Sequence, residues 1–595
     1  MRSIIAARTR TIVGGVVAAT VVAAACGYQK QSATVVQLKD PGKCVAVDVA
    51  AAPETAPLLN DAASRFNGSP SAKLRGGGCA FVRVHPVDSP VAGRELLTGW
   101  PDADRLGPPP VAWVPGSTMW GELLNAQLTD RHRPPMAPNG TPFAHTPLVI
   151  AMPQPMAAAL GYPRRPISWD LLAQLAHDPR GWGVYGHPDW GPFRLGKGNP
   201  FWSTTGLDQT IALDNEAGGS PQPAQLERSV VYYSALPQVY FDNWKRLAKR
   251  SPTRALEYVS AVVTDERTVV AYNTGHDVTD DKLVSHATRP RMRVVAVYPS
   301  DATIESDNPI IVLHAPWASE QARAGARLFT RFALQPATQE KVAAAGFRPS
   351  RGEPLATLVS SSNGVDAHAA GRSIAPASPG AIEQALAQWE TNRRPARVLL
   401  LVDVSDSMGD QADPDETGGP TKLAVAQAQL AKALGELGPA DDVGLRIFTT
   451  GLRGPAGPAG PAGADWRDLV AIGPIASRRA ALVNAIAALH TGRGSPLYAA
   501  IHDAFDTIAE QADREHINSV VLLTDGYNED EHDTSLSALL AHLATRDVRV
   551  FTISYSNDAD IASLQEIADT TNAWNFDARD THDLQDLLPR ALAGL

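Results

Sequence analysis

The alternation of apolar and polar positions divides the chain into two α/β stretches with a different kind of sequence between them. From Lys43 onward, short apolar runs alternate with segments whose apolar residues recur at helical spacing. KCVAVDVA, CAFVRVHPV, PPVAWVPG and TPLVIAMP read as strands. PETAPLLNDAASRFN reads as an amphipathic helix, and Ser117 and Thr118 stand where another should start. Such alternation predicts parallel sheet covered on both faces. The stretch GHPDWGPFRLGKGNPFWSTTGLDQTIAL is rich in Gly, Pro and aromatic residues and enters a helix at Ser203–Thr204–Thr205–Gly206. Three hydroxyls and a glycine there offer donors to an anion or polar ligand, or simply cap the helix. Strands follow at ALEYVSAVVT and RMRVVAVYP, and a helical segment broken near Pro336 closes the region.

From about Arg351 to Arg394, Ser, Ala, Gly and Pro dominate before a short helix, PGAIEQALAQWETN, which suits a partly ordered connector. Strict alternation then resumes. RVLLLVDV, DVGLRIFTT, SVVLLTDG and VRVFTISYS read as strands, separated by helices and followed by terminal helices. Continuous apolar runs such as VLLLV fit parallel strands buried on both faces. The fold class is therefore α/β throughout, doubly wound in the last third, and such sheets place ligands at the carboxyl ends of their strands. GPAGPAGPAG at 454–463 holds too few triplets for a collagen helix and reads as an extended loop.

Composition narrows the function. A chain of 595 residues, 44% hydrophobic, has ample material for several cores. Its net charge of −10 and lack of long basic runs argue against nucleic-acid binding. Arg2, Arg8 and Arg10 precede an apolar, small-residue run from Thr11 to Ala25, shorter than the roughly 20 residues a spanning helix needs. Ala-Ala-Ala-Cys at 23–26 resembles a bacterial lipobox, which implies export with Cys26 lipidated at the outer face of the cell membrane. A plain secretory signal or an uncleaved anchor are the alternatives. Of the three cysteines, Cys44 and Cys79 then remain as a pair suited to a disulfide in an oxidising compartment, or to two buried thiols. No convincing G-x-S-x-G or H-E-x-x-H and no cysteine nucleophile is present, and a Pro-rich turn accounts for His187 beside Asp189, so no enzyme is expected.

The clearest candidate chemistry lies in three segments. Asp403, Ser405 and Ser407 alternate along the end of one apolar strand, Asp525 follows another, and Ser495 lies in a loop before a helix. Hydroxyl and carboxylate oxygens suit a hard cation such as Mg²⁺, or Mn²⁺ or Ca²⁺. Two carboxylates with neutral hydroxyls carry no surplus negative charge and leave coordination positions to fill, so an outside carboxylate would complete the ion. Asp403-Val404-Ser405-Asp406-Ser407-Met408, Ser495-Pro496-Leu497-Tyr498 and Thr524-Asp525-Gly526 resemble the motifs of a von Willebrand factor type A (VWA) domain with a metal-ion-dependent adhesion site, over about 396–595. That resemblance implies direct ligation by Ser405, Ser407 and Ser495, and action largely through water by Asp403 and Asp525. Two departures stand out: Asp406 replaces the usual Gly, and Ser495 the usual Thr.

The upstream region resembles two-lobed bacterial extracellular solute-binding proteins over about 41–350. Trp113–Thr118, Gly186–Lys197, Ser203–Gly206, Tyr298-Pro299, Asp307-Asn308-Pro309 and Ala345–Pro349 carry the likeness. It implies two lobes closing on a small solute, with Ser117, Thr118, Ser203, Thr204 and Thr205 lining the cleft and Arg194 and Lys197 adding positive charge. The expected order is signal peptide 1–25, tether 26–40, solute-binding-like domain 41–352, linker 353–395 and VWA domain 396–595. The expected function is a lipid-anchored binding or scaffold protein whose cation engages an acidic group of an envelope protein. The alternative is the solute receptor of a transport system with an accessory VWA domain.

Overall fold

The computed structural model describes residues 39–595 except 218–221, 281, 284–286, 369–373, 375–376, 415, 417, 453–464 and 530–534. Cys26, the leader and the GPA repeat therefore lie outside the described residues. Among the described residues, three sheets organise the chain, and no helix is long and apolar enough to cross a membrane.

The first sheet carries lobe one. Strand Val45–Ala51 pairs in parallel with Ala80–Pro86 and Ala112–Val114, and Pro309–Val312 returns antiparallel at the far side. Cys44 and Cys79 form a disulfide beside this sheet, separated by 35 positions. Closing a loop of that size stabilises by roughly 3–4 kcal/mol through the unfolded chain. Ser117 caps the next helix, Thr118–Asp130, as its sequence predicts.

The second sheet differs from the all-parallel expectation. TPLVIAMP belongs to strand Ala144–Pro153, which pairs antiparallel with Ala261–Asp265 and Val294–Val297. The reason is topological: the chain leaves lobe one before this strand and builds a separate sheet with later segments. ALEY, read as the start of a strand, closes the helix Pro252–Tyr258 instead. The chain returns to lobe one between Ser306 and Pro309, so Asp307 and Asn308 lie at a crossing.

The third sheet has strand order Trp466–Val470, Asp442–Phe448, Ala396–Asp403, Ile517–Thr524, Arg549–Tyr555, Asn575–Ala578. Its strands are parallel except the first-named, an antiparallel edge strand. Hydrophobic periodicity misses both edges: WRDLV breaks alternation with adjacent Arg467 and Asp468, and NFDA is short. The central strand Ala396–Asp403 is buried along nearly its whole length, which places its carboxyl end at the middle of the domain face.

The segment read as a connector contains the helix Pro379–Asn392, which buries Ile382, Ala385, Leu386 and Trp389. Trp389 packs edge-on against Tyr233 and Phe201 of lobe two. The third sheet also docks on lobe two: Tyr232 meets Phe551, and Arg246 pairs with Asp569 at 2.9 Å. The last helix, Leu584–Ala593, reaches both lobes. Arg590 bonds Asp88, and Asp586 accepts from Arg105 at 2.8 Å, both on lobe one. Asn199 of lobe two donates to the Ala593 carbonyl at 2.8 Å.

Candidate functional site

The end of strand Ala396–Asp403 and the end of its parallel neighbour Ile517–Thr524 lie side by side. Asp403 is the last residue of one, and Asp525 follows the other, so two buried carboxylates share one strand-end crevice. The loop before the helix Leu497–Gln511 brings in Ser495, whose hydroxyl donates to Asp403 Oδ2 at 3.0 Å. Thr524 Oγ1 donates to the same oxygen at 2.6 Å, and the Ser405 amide donates to Asp403 Oδ1 at 2.8 Å. Ser405 and Ser407 hydroxyls are 3.1 Å apart, and Ser407 Oγ donates to Asp525 Oδ1 at 2.9 Å. The five residues singled out in the sequence thus form one connected cluster of oxygens.

Two features of this crevice are invisible as sequence motifs. Lys422, at the start of the helix Lys422–Ala433, is buried and donates from Nζ to Asp525 Oδ2 at 2.8 Å, with Asp558 at 3.4 Å. Burial pulls the Lys422 ammonium down, but its bonds to Asp525 outweigh this, so it is held charged. Glu529 is the other: its Oε2 accepts from the Ser495 amide at 3.3 Å. Burial pushes Asp403 up to about 6, helped by the neighbouring Asp525 charge and opposed by its hydrogen bonds.

Asp406, the residue in place of Gly, sits in the 3₁₀ turn Asp406–Gly409 without a left-handed backbone. The exchange therefore costs no strain. Its Oδ1 accepts from the Ser407 amide at 3.1 Å, leaving an exposed negative charge at the crevice rim. The donor set contains only oxygen, with hydroxyls and two carboxylates, and this chemistry fits a hard divalent cation.

The upstream candidates separate into groups. Ser117, Thr118 and Thr204 come together: Trp120 Nε1 donates to Thr204 Oγ1 at 2.9 Å, and a Cβ on Gly116 would meet that Oγ1 at 2.8 Å. Glycine is required for this approach between two chain segments. Ser203 and Thr205 are buried and bond each other at 3.2 Å, while Ser203 caps the Gly206 amide, so they serve their helix. Arg194 does not join the cleft. Its guanidinium donates to the Glu257 carbonyl at 2.7 Å and faces Asp547 of the third-sheet domain. Lys197 is wholly buried against Glu227, under Trp389, and offers no charge to a solute. Lys197 lies within the buried strand Leu195–Gly198, and Arg194 immediately precedes it. His187 stacks on Trp190 with ring centres 3.8 Å apart, as a Pro-rich turn allows.

Carboxylates meet the helix start at the chain crossing between the two sheets. Asp307 accepts from both the amide and the hydroxyl of Thr118, at 2.8 and 2.7 Å. The donors that the helix start would offer an anion are thus taken by the chain itself. Asp208, fully buried, accepts from Ser306 at 2.6 Å. Burial, with Asp307 and Asp265 adding to it, pushes Asp208 up to about 7, and burial likewise takes Glu54 to about 7.

Comparison with known proteins agrees with this architecture. The family model of bacterial extracellular solute-binding proteins matches residues 47–348. The chain belongs to that family. The von Willebrand factor type A model matches 463–590, and the sheet extends that domain back to Ala396, the strand that carries Asp403. An uncharacterized protein of Mycobacterium tuberculosis, strains H37Rv and CDC 1551 / Oshkosh, is 23% identical over 502 residues. That alignment covers 82% of this solute-binding family member and 66% of the relative, so the chain spans just under two thirds of the relative's length. Among solved structures, the sulfate-binding protein SubI of M. tuberculosis H37Rv is 16% identical, covering 52% of this chain and 88% of its own, with a TM-score of 0.32. A von Willebrand factor type A protein from Catenulispora acidiphila is 20% identical, covering 33% of this chain and 42% of its own, with a TM-score of 0.26.

Proposed function

We propose that this protein is an exported binding and scaffold protein, lipid-anchored at Cys26, whose VWA domain holds a divalent cation, Mg²⁺ foremost, and through it grips a carboxylate of an envelope protein. The convergence of Asp403, Ser405, Ser407, Ser495 and Asp525 at one strand-end crevice carries this reading. Ser405, Ser407 and Ser495 would hold the ion directly and the two aspartates largely through water, with one position left for the partner. Tyr527, two residues beyond Asp525 and 58% exposed, supplies an aromatic anchor beside that position. The upstream region contributes a cleft for a small solute, and no part of the proposal involves catalysis.

The docking of the last helix favours a scaffold over a shuttling transport receptor. A receptor opens and closes about its hinge. Here Arg590–Asp88 and Arg105–Asp586 tie the VWA domain to lobe one while Asn199 ties it to lobe two. Capture of envelope proteins on the immobilised chain tests the proposal. Capture of a defined partner should require Mg²⁺, stop with EDTA and fail with Ser405→Ala. Capture indifferent to both the metal and Ser405 would reject it.

A further inference from the structure

A second set of metal-ligating side chains lies on the flank of the VWA domain. His502 and Asp506 are four residues apart on the helix Leu497–Gln511 and so share one face. His502 lies about 7–8 Å along that helix from its start, at 1.5 Å per residue. His542 is in the last turn of the helix Leu536–Leu543. Buried Phe505, Ile508, Leu539 and Leu543 belong to the same core cluster, which fixes the register of the two helices.

The polar atoms converge. His542 Nε2 is 2.7 Å from Asp506 Oδ1, and His502 Nδ1 is 3.4 Å from Asp506 Oδ2. The two imidazoles stack, with ring centres 3.9 Å apart and planes 15° from parallel. The Phe505 ring packs against His542 at 5.5 Å, at an interplanar angle of 66°. One nitrogen of each histidine and one carboxylate oxygen lie within 4.8 Å of one another. Tetrahedral Zn²⁺, with ligands at about 2.0–2.1 Å, needs its donors roughly 3.4 Å apart, which small side-chain rotations supply. Two stacked imidazoles aimed at one carboxylate repel each other when both are protonated, whereas a cation between the three groups satisfies all of them.

We propose that His502 Nδ1, Asp506 and His542 Nε2 form a three-ligand site for a borderline divalent cation, Zn²⁺ foremost, which pins the helix Leu536–Leu543 to the helix Leu497–Gln511. The site differs in chemistry from the strand-end crevice. Two imidazoles select Zn²⁺, Cu²⁺ or Ni²⁺, whereas an all-oxygen set selects Mg²⁺, Mn²⁺ or Ca²⁺. The fourth position faces solvent, since the side chains of His502, Asp506 and His542 are about a third to two fifths exposed.

The test is equilibrium dialysis of Zn²⁺ with the whole chain, without an affinity tag and stripped by chelator, in an Asp403→Ala background that disables the other crevice. One equivalent of Zn²⁺ should bind. His502→Ala, His542→Ala and the milder His542→Gln should each weaken it by more than the roughly 10–100-fold that a merely supporting residue costs. Acidification should weaken binding, because protons compete with the metal for its ligands. Absence of the Zn²⁺ equivalent in the Asp403→Ala chain, or equal binding in the His502 and His542 variants, would overturn the proposal. Because the Asp403→Ala background is used throughout, neither result depends on the strand-end crevice holding a metal.

Discussion

The strand-end crevice of the VWA domain and the cleft of the solute-binding region use similar side chains, hydroxyls and carboxylates at the starts of helices and the ends of strands. They differ in how those groups are satisfied. In the crevice, the Ser405 and Ser407 hydroxyls bond each other, and Ser407 and Ser495 donate to Asp525 and Asp403, the two carboxylates that would face a proposed cation. In the cleft, Asp307 already fills the helix start with both carboxylate oxygens. The crevice sets one internal cation, Lys422, against two buried carboxylates, while the helix start upstream already carries its own anion. A motif of small hydroxyl residues is therefore ambiguous until the fold shows which carboxylates face it.

Two substitutions test that contrast. The larger effect is expected at Lys422. Its ammonium already neutralises Asp525, so it competes with a bound ion. Lys422→Met should tighten Mg²⁺ binding at least about tenfold, or ~1.4 kcal/mol, since unit charges 4 Å apart interact by about 1 kcal/mol even in water and Mg²⁺ carries two. Unchanged or weaker binding, read by calorimetry, would place the ion away from Asp525. The smaller effect concerns the cleft. Sulfate and phosphate should leave the thermal unfolding of the wild-type chain unmoved. Asp307→Ser should cost about 1 kcal/mol as the Thr118 donors lose their acceptor, and should introduce a sulfate-dependent stabilisation. A sulfate response in the wild type would show that Asp307 yields its place to an anion.

Much of the fold was legible because short, continuous apolar runs such as VLLLV fit buried strands, and because DVSDS closes one of them. The disulfide was legible from parity and export. Less was visible where the determinants are distant in sequence. TPLVIAMP looks like a parallel strand, and only its later partners Ala261–Asp265 and Val294–Val297 make it antiparallel. Arg194 and Lys197 look like cleft cations, but Lys197 answers Glu227, 30 positions on, and Arg194 faces Asp547. Lys422 reads as an ordinary helix start because nothing local reveals Asp525, 103 positions on. Likewise, the polar face of the last helix gives no hint that Arg590 and Asp586 reach lobe one.

Most of the proposed function depends on the cation at the strand-end crevice. Mg²⁺ titrated calorimetrically into the EDTA-stripped whole chain, beside Asp403→Ala, tests it directly. Mg²⁺ demands oxygen ligands and is a poor match for the histidine pair, so any saturable binding reports on the crevice. One saturable site is expected in the wild type and none in Asp403→Ala. No saturable binding in the wild type, or the same binding in both chains, would contradict it.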